Sequence, residues 1–134
     1  MDERTGGCQC GRVRYRVVGE PKLLAVCHCR ECQRHSGGAF GMSMLVMASN
    51  VTVEGELKLF ERTSESGRTV GSCFCPECGT RIYTIPSLAP GFLSLKPGTL
   101  DDTSWLRPQL HVWTSSKQDW FEVPADAKQH ERQP

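Results

Sequence analysis

Polar and apolar residues alternate strictly through Arg12-Val13-Arg14-Tyr15-Arg16-Val17. That period of two predicts a half-buried strand with Val13, Tyr15 and Val17 turned inward. Elsewhere the apolar residues come in short runs, cut at brief intervals by turn residues. Residues 23–26 and 40–48 read as strands, and 51–55 with 57–61 as a strand pair about Gly55. Further strands are expected over 68–74, 81–85, 92–95 and 109–114. Gly6-Gly7 and 97–102 read as turns, and 63–67 as a polar loop. Only 30–35 suggests a helix, of one or two turns. Trp105, Trp113 and Trp120 are expected in the core, and the polar 125–134 tail is expected to fray.

These elements add up to a mainly β, antiparallel fold with one short helix at most. A chain of 134 residues leaves room for a single domain, with its core over about 5–122. No apolar run approaches the ~18–20 residues that span a bilayer. The polar start, MDERTGGCQC, has no apolar stretch of the signal-peptide kind, so a cytoplasmic location is expected.

Cysteine changes the picture more than anything else in the composition. Eight cysteines fall in three clusters: Cys8 and Cys10; Cys27, Cys29 and Cys32; Cys73, Cys75 and Cys78. Residues so close in sequence are poorly placed for mutual disulfides, and in a reducing compartment this spacing reads as metal ligation. The formal charge of +1 would fall to −2 if seven thiolates held two Zn²⁺. Such a balance argues against non-specific nucleic-acid binding, which needs many unopposed Lys and Arg. Residues 1–40 are nonetheless cationic, with seven basic and four acidic groups.

Cys75-Pro76-Glu77-Cys78-Gly79 has the form of a zinc knuckle, and Cys8 with Cys10 can supply the other half of a closed four-thiolate site. Cys27, Cys29 and Cys32 offer three thiolates. Three protein ligands and an open position are the arrangement of catalytic zinc. The competing reading closes this second site with the Cys73 thiolate or with His28 or His35. Cys73 could equally be a buried thiol. Arg34 and Ser36 follow the cluster at a helix end. They suit a substrate carboxylate and a polar group, or simply cap a helix.

Together, Gly-Gly-Cys8-x-Cys10-Gly, Cys27-His28-Cys29-x-x-Cys32-x-x-x-Ser36-Gly37, Phe74-Cys75-x-x-Cys78-Gly79-Thr80 and Gly98-Thr99-Leu100-Asp101 resemble the glutathione-dependent formaldehyde-activating enzyme family. This S-(hydroxymethyl)glutathione synthase-like family also includes centromere protein V. The resemblance spans about residues 5–122. It implies a β-tent fold, a structural zinc on Cys8, Cys10, Cys75 and Cys78, and a second zinc on Cys27, Cys29 and Cys32.

The function so implied is that of a zinc-dependent carbon–sulfur lyase or synthase joining a small-molecule thiol, such as glutathione, to formaldehyde or another small aldehyde. Cationic groups in the first 40 residues would then hold the glutathione carboxylates. The alternative is a non-catalytic zinc module that binds protein or nucleic acid. It would want a basic, aromatic-interleaved surface, which the charge balance does not supply.

Overall fold

The alternating segments become strands in the computed structural model, which describes residues 2–63 and 67–134. Among these residues are eleven strands and one α-helix. In chain order they are β1 (Glu3–Gly7), β2 (Arg14–Val18), β3 (Leu23–Cys27), α1 (Arg30–Ser36), β4 (Gly41–Met47), β5 (Val51–Glu54) and β6 (Lys58–Thr63). There follow β7 (Thr69–Phe74), β8 (Arg81–Ile85), β9 (Phe92–Leu95), β10 (Leu110–Val112) and β11 (Lys128–Gln129). Single 3-10 turns lie at Ala48–Asn50, Pro97–Thr99 and Thr114–Ser116. The mainly β class expected from the pattern is therefore present, with its one short helix where 30–35 suggested it. The expected polar loop at 63–67 has its centre, 64–66, outside the described residues. No described helix is long and apolar enough to cross a membrane.

The chain packs as two compact units. The first comprises the chain through Lys22 and Met44–Trp105. It holds an antiparallel β1-β2-β5 sheet and the antiparallel succession β4-β9-β8-β7-β6, in which β4 pairs through Met44–Met47. Val13, Tyr15 and Val17 are buried as the alternation requires, and Met44, Ile82 and Leu95 are sealed from solvent.

Two expectations about this unit change. Residues 51–55 and 57–61 were expected to pair with each other. Instead β5 lies on β2, with Val53 opposite Tyr15 and Val51 opposite Val17, while β6 runs six residues beside β7. Each strand finds a longer or more apolar partner than its neighbour in sequence offers. Gly6 and Gly7, expected as a turn, belong to β1. A Cβ on Gly6 would overlap the Thr99 carbonyl and the Tyr15 ring, so this glycine serves close approach between strands.

The second unit comprises Leu23–Ser43 and Leu106–Pro134. Here the antiparallel expectation gives way: β10 runs parallel to both β3 and β11. Hydrophobic periodicity carries no strand direction, and β10 returns from a long excursion. The tail expected to fray is docked. Lys128 N–H donates to the Gln109 carbonyl at 2.9 Å, His130 N–H to His111 at 2.9 Å, and Ser115 Oγ to Glu131 at 2.7 Å. The tail docks mainly through its backbone while most of its side chains remain exposed, so a polar composition is no obstacle.

The tryptophans do not fill the core. Trp120 is 71% exposed. Trp105 is half-buried with the Arg4 guanidinium 4.1 Å from its ring centre. Trp113 is also half-buried, its indole N–H donating to Gln133 Oε1 at 3.3 Å. Aliphatic side chains on the alternating strands already occupy the interior, which leaves the large rings at its margins.

Candidate metal centres

Two tight turns bring four sulfurs together in the first unit. After β1 the chain folds back so that Cys8 N–H donates to the Val13 carbonyl at 3.0 Å, while Val13 N–H donates to Cys8 Sγ at 3.2 Å. In the knuckle after β7, Cys75 N–H donates to Thr80 O at 2.9 Å and Gly79 N–H to Cys75 O at 2.8 Å. Gly79 closes this turn at φ 79°, a conformation that a side chain disfavours. Cys8, Cys10, Cys75 and Cys78 thereby converge, their sulfurs all within 4.8 Å of one another.

The sulfur spacing tests whether an ion fits. With Zn–S bonds of about 2.3 Å, a regular tetrahedron has edges of about 3.8 Å. Cys8 Sγ lies 3.6 Å from Cys10 Sγ, which lies 3.8 Å from Cys75 Sγ. Their protonation is correspondingly uneven. Hydrogen bonds from the Thr80 hydroxyl and backbone, and from the Cys10 backbone, hold Cys78 at about 5. The Arg12 N–H also favours Cys10 thiolate, but burial and the other three sulfurs outweigh it and push Cys10 up to about 11. Four crowded thiols cannot all ionise alone; a divalent cation removes that conflict.

In the second unit, β3 delivers Cys27, the next two residues reach Cys29, and α1 brings Cys32 back on its first turn. Cys29 is the N-cap of α1, and its sulfur accepts the Cys32 N–H at 3.3 Å. The helix stops at Gly37, in the left-handed conformation, with its N–H on the Gln33 carbonyl. The three sulfurs again lie within 4.8 Å of one another, all partly exposed. Hydrogen bonds from the Cys27 and Cys32 thiols, with the backbone N–H groups of Cys32 and Glu31, draw Cys29 down to about 2. Hydrogen bonding to Cys29 and Cys32, together with burial, drives Cys27 strongly upward. This donor set also favours a bound cation, and among the described residues it gathers three ligands where the first gathers four.

The other candidates fall into place around these clusters. Cys73 belongs to neither. It is buried on β7 opposite Tyr83 of β8, and burial raises its pKa despite the Tyr83 hydrogen bond. His28 turns away from the sulfurs, with Nε2 at 2.9 Å from His111 Nδ1 and its ring against Phe40 and Phe121. His35 is not in the cluster either. Arg34 is exposed in the last turn of α1. Ser36 is exposed too, and its hydroxyl accepts the Gly38 N–H at 3.1 Å, the helix-ending role weighed for it.

Sequence reasoning passed over two buried polar groups in this unit, Gln33 and His111. His111 had a signal, a histidine between Leu110 and Val112 in an apolar strand. Gln33 had none, because glutamine is ordinary in an exposed helix.

Residues 3–116 match the family described as glutathione-dependent formaldehyde-activating enzyme. A relative from Halomonas elongata that bears this family's name is 24% identical over 124 residues, 88% of this chain and 79% of that protein. A crystal structure of a Rhodobacter sphaeroides protein superposes with a TM-score of 0.58 at 19% identity, over 78% of this chain and 91% of the other, and so shares its fold. With the matched span enclosing both cysteine clusters, the chain belongs to the glutathione-dependent formaldehyde-activating enzyme family.

Proposed function

We propose that the chain catalyses addition of a thiol, glutathione in the first instance, to formaldehyde or another small aldehyde, as a carbon–sulfur lyase of the S-(hydroxymethyl)glutathione synthase type working in the cytoplasm. The S–C bond forms as the carbonyl π bond breaks, and the thiol proton ends on the new hydroxyl oxygen. Family membership supports the substrate class. The observation that carries the assignment of the site is the difference between the two clusters: four sulfurs in one, three partly exposed sulfurs in the other.

Zinc bound by Cys27, Cys29 and Cys32 would supply a Lewis acid with a place for an exogenous ligand. The chain's own contribution is positional. Cys29 caps α1 and Cys32 rides on its first turn, and the Cys32 N–H holds the Cys29 sulfur by a backbone hydrogen bond before any substrate arrives. Arg34, exposed two residues beyond Cys32, is the group we assign to a glutathione carboxylate, with Ser36 beside it for a polar group. Zinc on Cys8, Cys10, Cys75 and Cys78 would be structural, tying together turns about 65 residues apart in sequence.

The test is exchange spectroscopy on glutathione and formaldehyde at equilibrium, where the uncatalysed background is measured directly. Zinc-loaded protein should accelerate exchange, and Cys29→Ser should abolish the acceleration while the protein stays folded. Protein carrying two zinc ions that neither binds glutathione nor speeds exchange would overturn the assignment.

A further inference from the structure

The three-cysteine cluster has two arms. Cys27 and Cys29 sit at the exit from β3, and Cys32 sits on α1. The next residue, Gln33, is 5% exposed, and its side-chain amide reaches back across the cluster's own loop. Nε2 donates to the His28 carbonyl at 2.8 Å and to the Ser116 carbonyl at 3.0 Å. Oε1 accepts from Gln118 Nε2 at 3.0 Å and from the Arg30 guanidinium. The amide orientation follows from these neighbours, since two carbonyls require donors and the Arg30 and Gln118 nitrogens require an acceptor. Two donor and two acceptor positions are thus all filled.

The carbonyl that Gln33 grips belongs to the residue between two of the sulfurs. His28 is itself pinned from its other side, its N–H donating to Val112 O at 3.0 Å. An apolar side chain would meet the demands of burial at this helix position. A fully satisfied amide does something more, because it holds one arm of the cluster at a set distance from the other.

We infer that Gln33 is a positioning residue for the three-cysteine cluster, bracing the Cys27–Cys29 loop against Cys32 so that the sulfurs converge before metal binds. Such bracing slows metal release, because the loop cannot open one ligand at a time without breaking buried hydrogen bonds. This rests on the cluster holding a zinc ion, and not on the reaction proposed for it.

The experiment follows zinc release from the full-length, zinc-loaded protein to a chromogenic chelator. Iodoacetamide labelling, mapped by mass spectrometry, assigns each release phase to a cysteine set. Gln33→Met keeps the side-chain length and removes all four hydrogen bonds. It should speed the phase in which Cys27, Cys29 and Cys32 become labelled by about 10–100-fold, which is the affinity typically lost with groups behind metal ligands carried wholly by the release rate. The phase exposing Cys8, Cys10, Cys75 and Cys78 should keep its wild-type rate. Gln118→Met, which spares both Nε2 bonds, should release zinc much as the wild type does.

An unchanged rate at Cys27, Cys29 and Cys32 in Gln33→Met would overturn the inference. Equal acceleration of both phases would also overturn it, by showing general loosening. If Gln33→Met fails to fold, Gln33→Glu, which sets an acceptor against the two carbonyls, is read by the same criteria. A wild-type protein holding one zinc, with Cys27, Cys29 and Cys32 labelled at once, removes the zinc reading first and this inference with it.

Discussion

His28 Nε2 and His111 Nδ1 meet at 2.9 Å across 83 residues of sequence, in a pair of rings almost without solvent exposure. The two ring planes are inclined by only 21°, and both rings also lie against Phe121. His28 Nδ1 has no hydrogen-bond partner among the described residues. Its bond to His111 therefore carries the polar satisfaction of the ring that stands between Cys27 and Cys29.

Removing that partner leaves both His28 nitrogens buried and unpaired. His111→Leu should then destabilise the protein by about 1–3 kcal/mol in denaturant unfolding of the zinc-loaded form. His111→Asn, whose amide oxygen falls near the position of Nδ1, should recover part of the loss. Equal stability of His111→Leu and wild type would show that the pair contributes nothing.

Metal removal should affect the two clusters unequally. Cys8 and Cys10 are joined to Cys75 and Cys78 over about 65 residues, whereas Cys27, Cys29 and Cys32 lie within one loop. Structural zinc sites are worth about 10–16 kcal/mol of apparent binding energy coupled to folding in zinc-finger peptides. Cys75→Ser should consequently lower the melting temperature much more than Cys29→Ser. Equal losses in the two variants would mean that both ions are structural.

Arg34→Ala tests substrate positioning. The side chain is exposed, so its removal should leave zinc content and the melting temperature unchanged. If it grips a carboxylate, glutathione binding measured by calorimetry should weaken by about 1.5–3 kcal/mol, the range for a hydrogen bond to a charged group. Unaltered affinity would remove Arg34 from the substrate site.

Deleting residues 127–134 should destabilise the second unit although the segment is polar. Its backbone supplies the Lys128 and His130 hydrogen bonds to Gln109 and His111 and accepts from Thr114 and Ser115. Without it, the β10 amides should lose protection in hydrogen exchange, while β2 and β7 in the first unit keep theirs. Uniform protection in the truncated chain would show that the tail is not part of the fold.

The two cysteine clusters were legible in the sequence because Cys-x-Cys and Cys-x-x-Cys spacing acts locally: a turn of a few residues gathers the sulfurs wherever the rest of the chain goes. The inward face of β2 was legible for the same reason, since it expresses the strand's period of two. Tertiary structure alone decided the rest. It parted β5 from β6, ran β10 parallel to β3, buried Cys73 beside Tyr83 away from both clusters, and set His111 opposite His28. Each of these depends on which distant surfaces bury the most apolar area and satisfy the most backbone groups together, a competition that no short window of sequence contains.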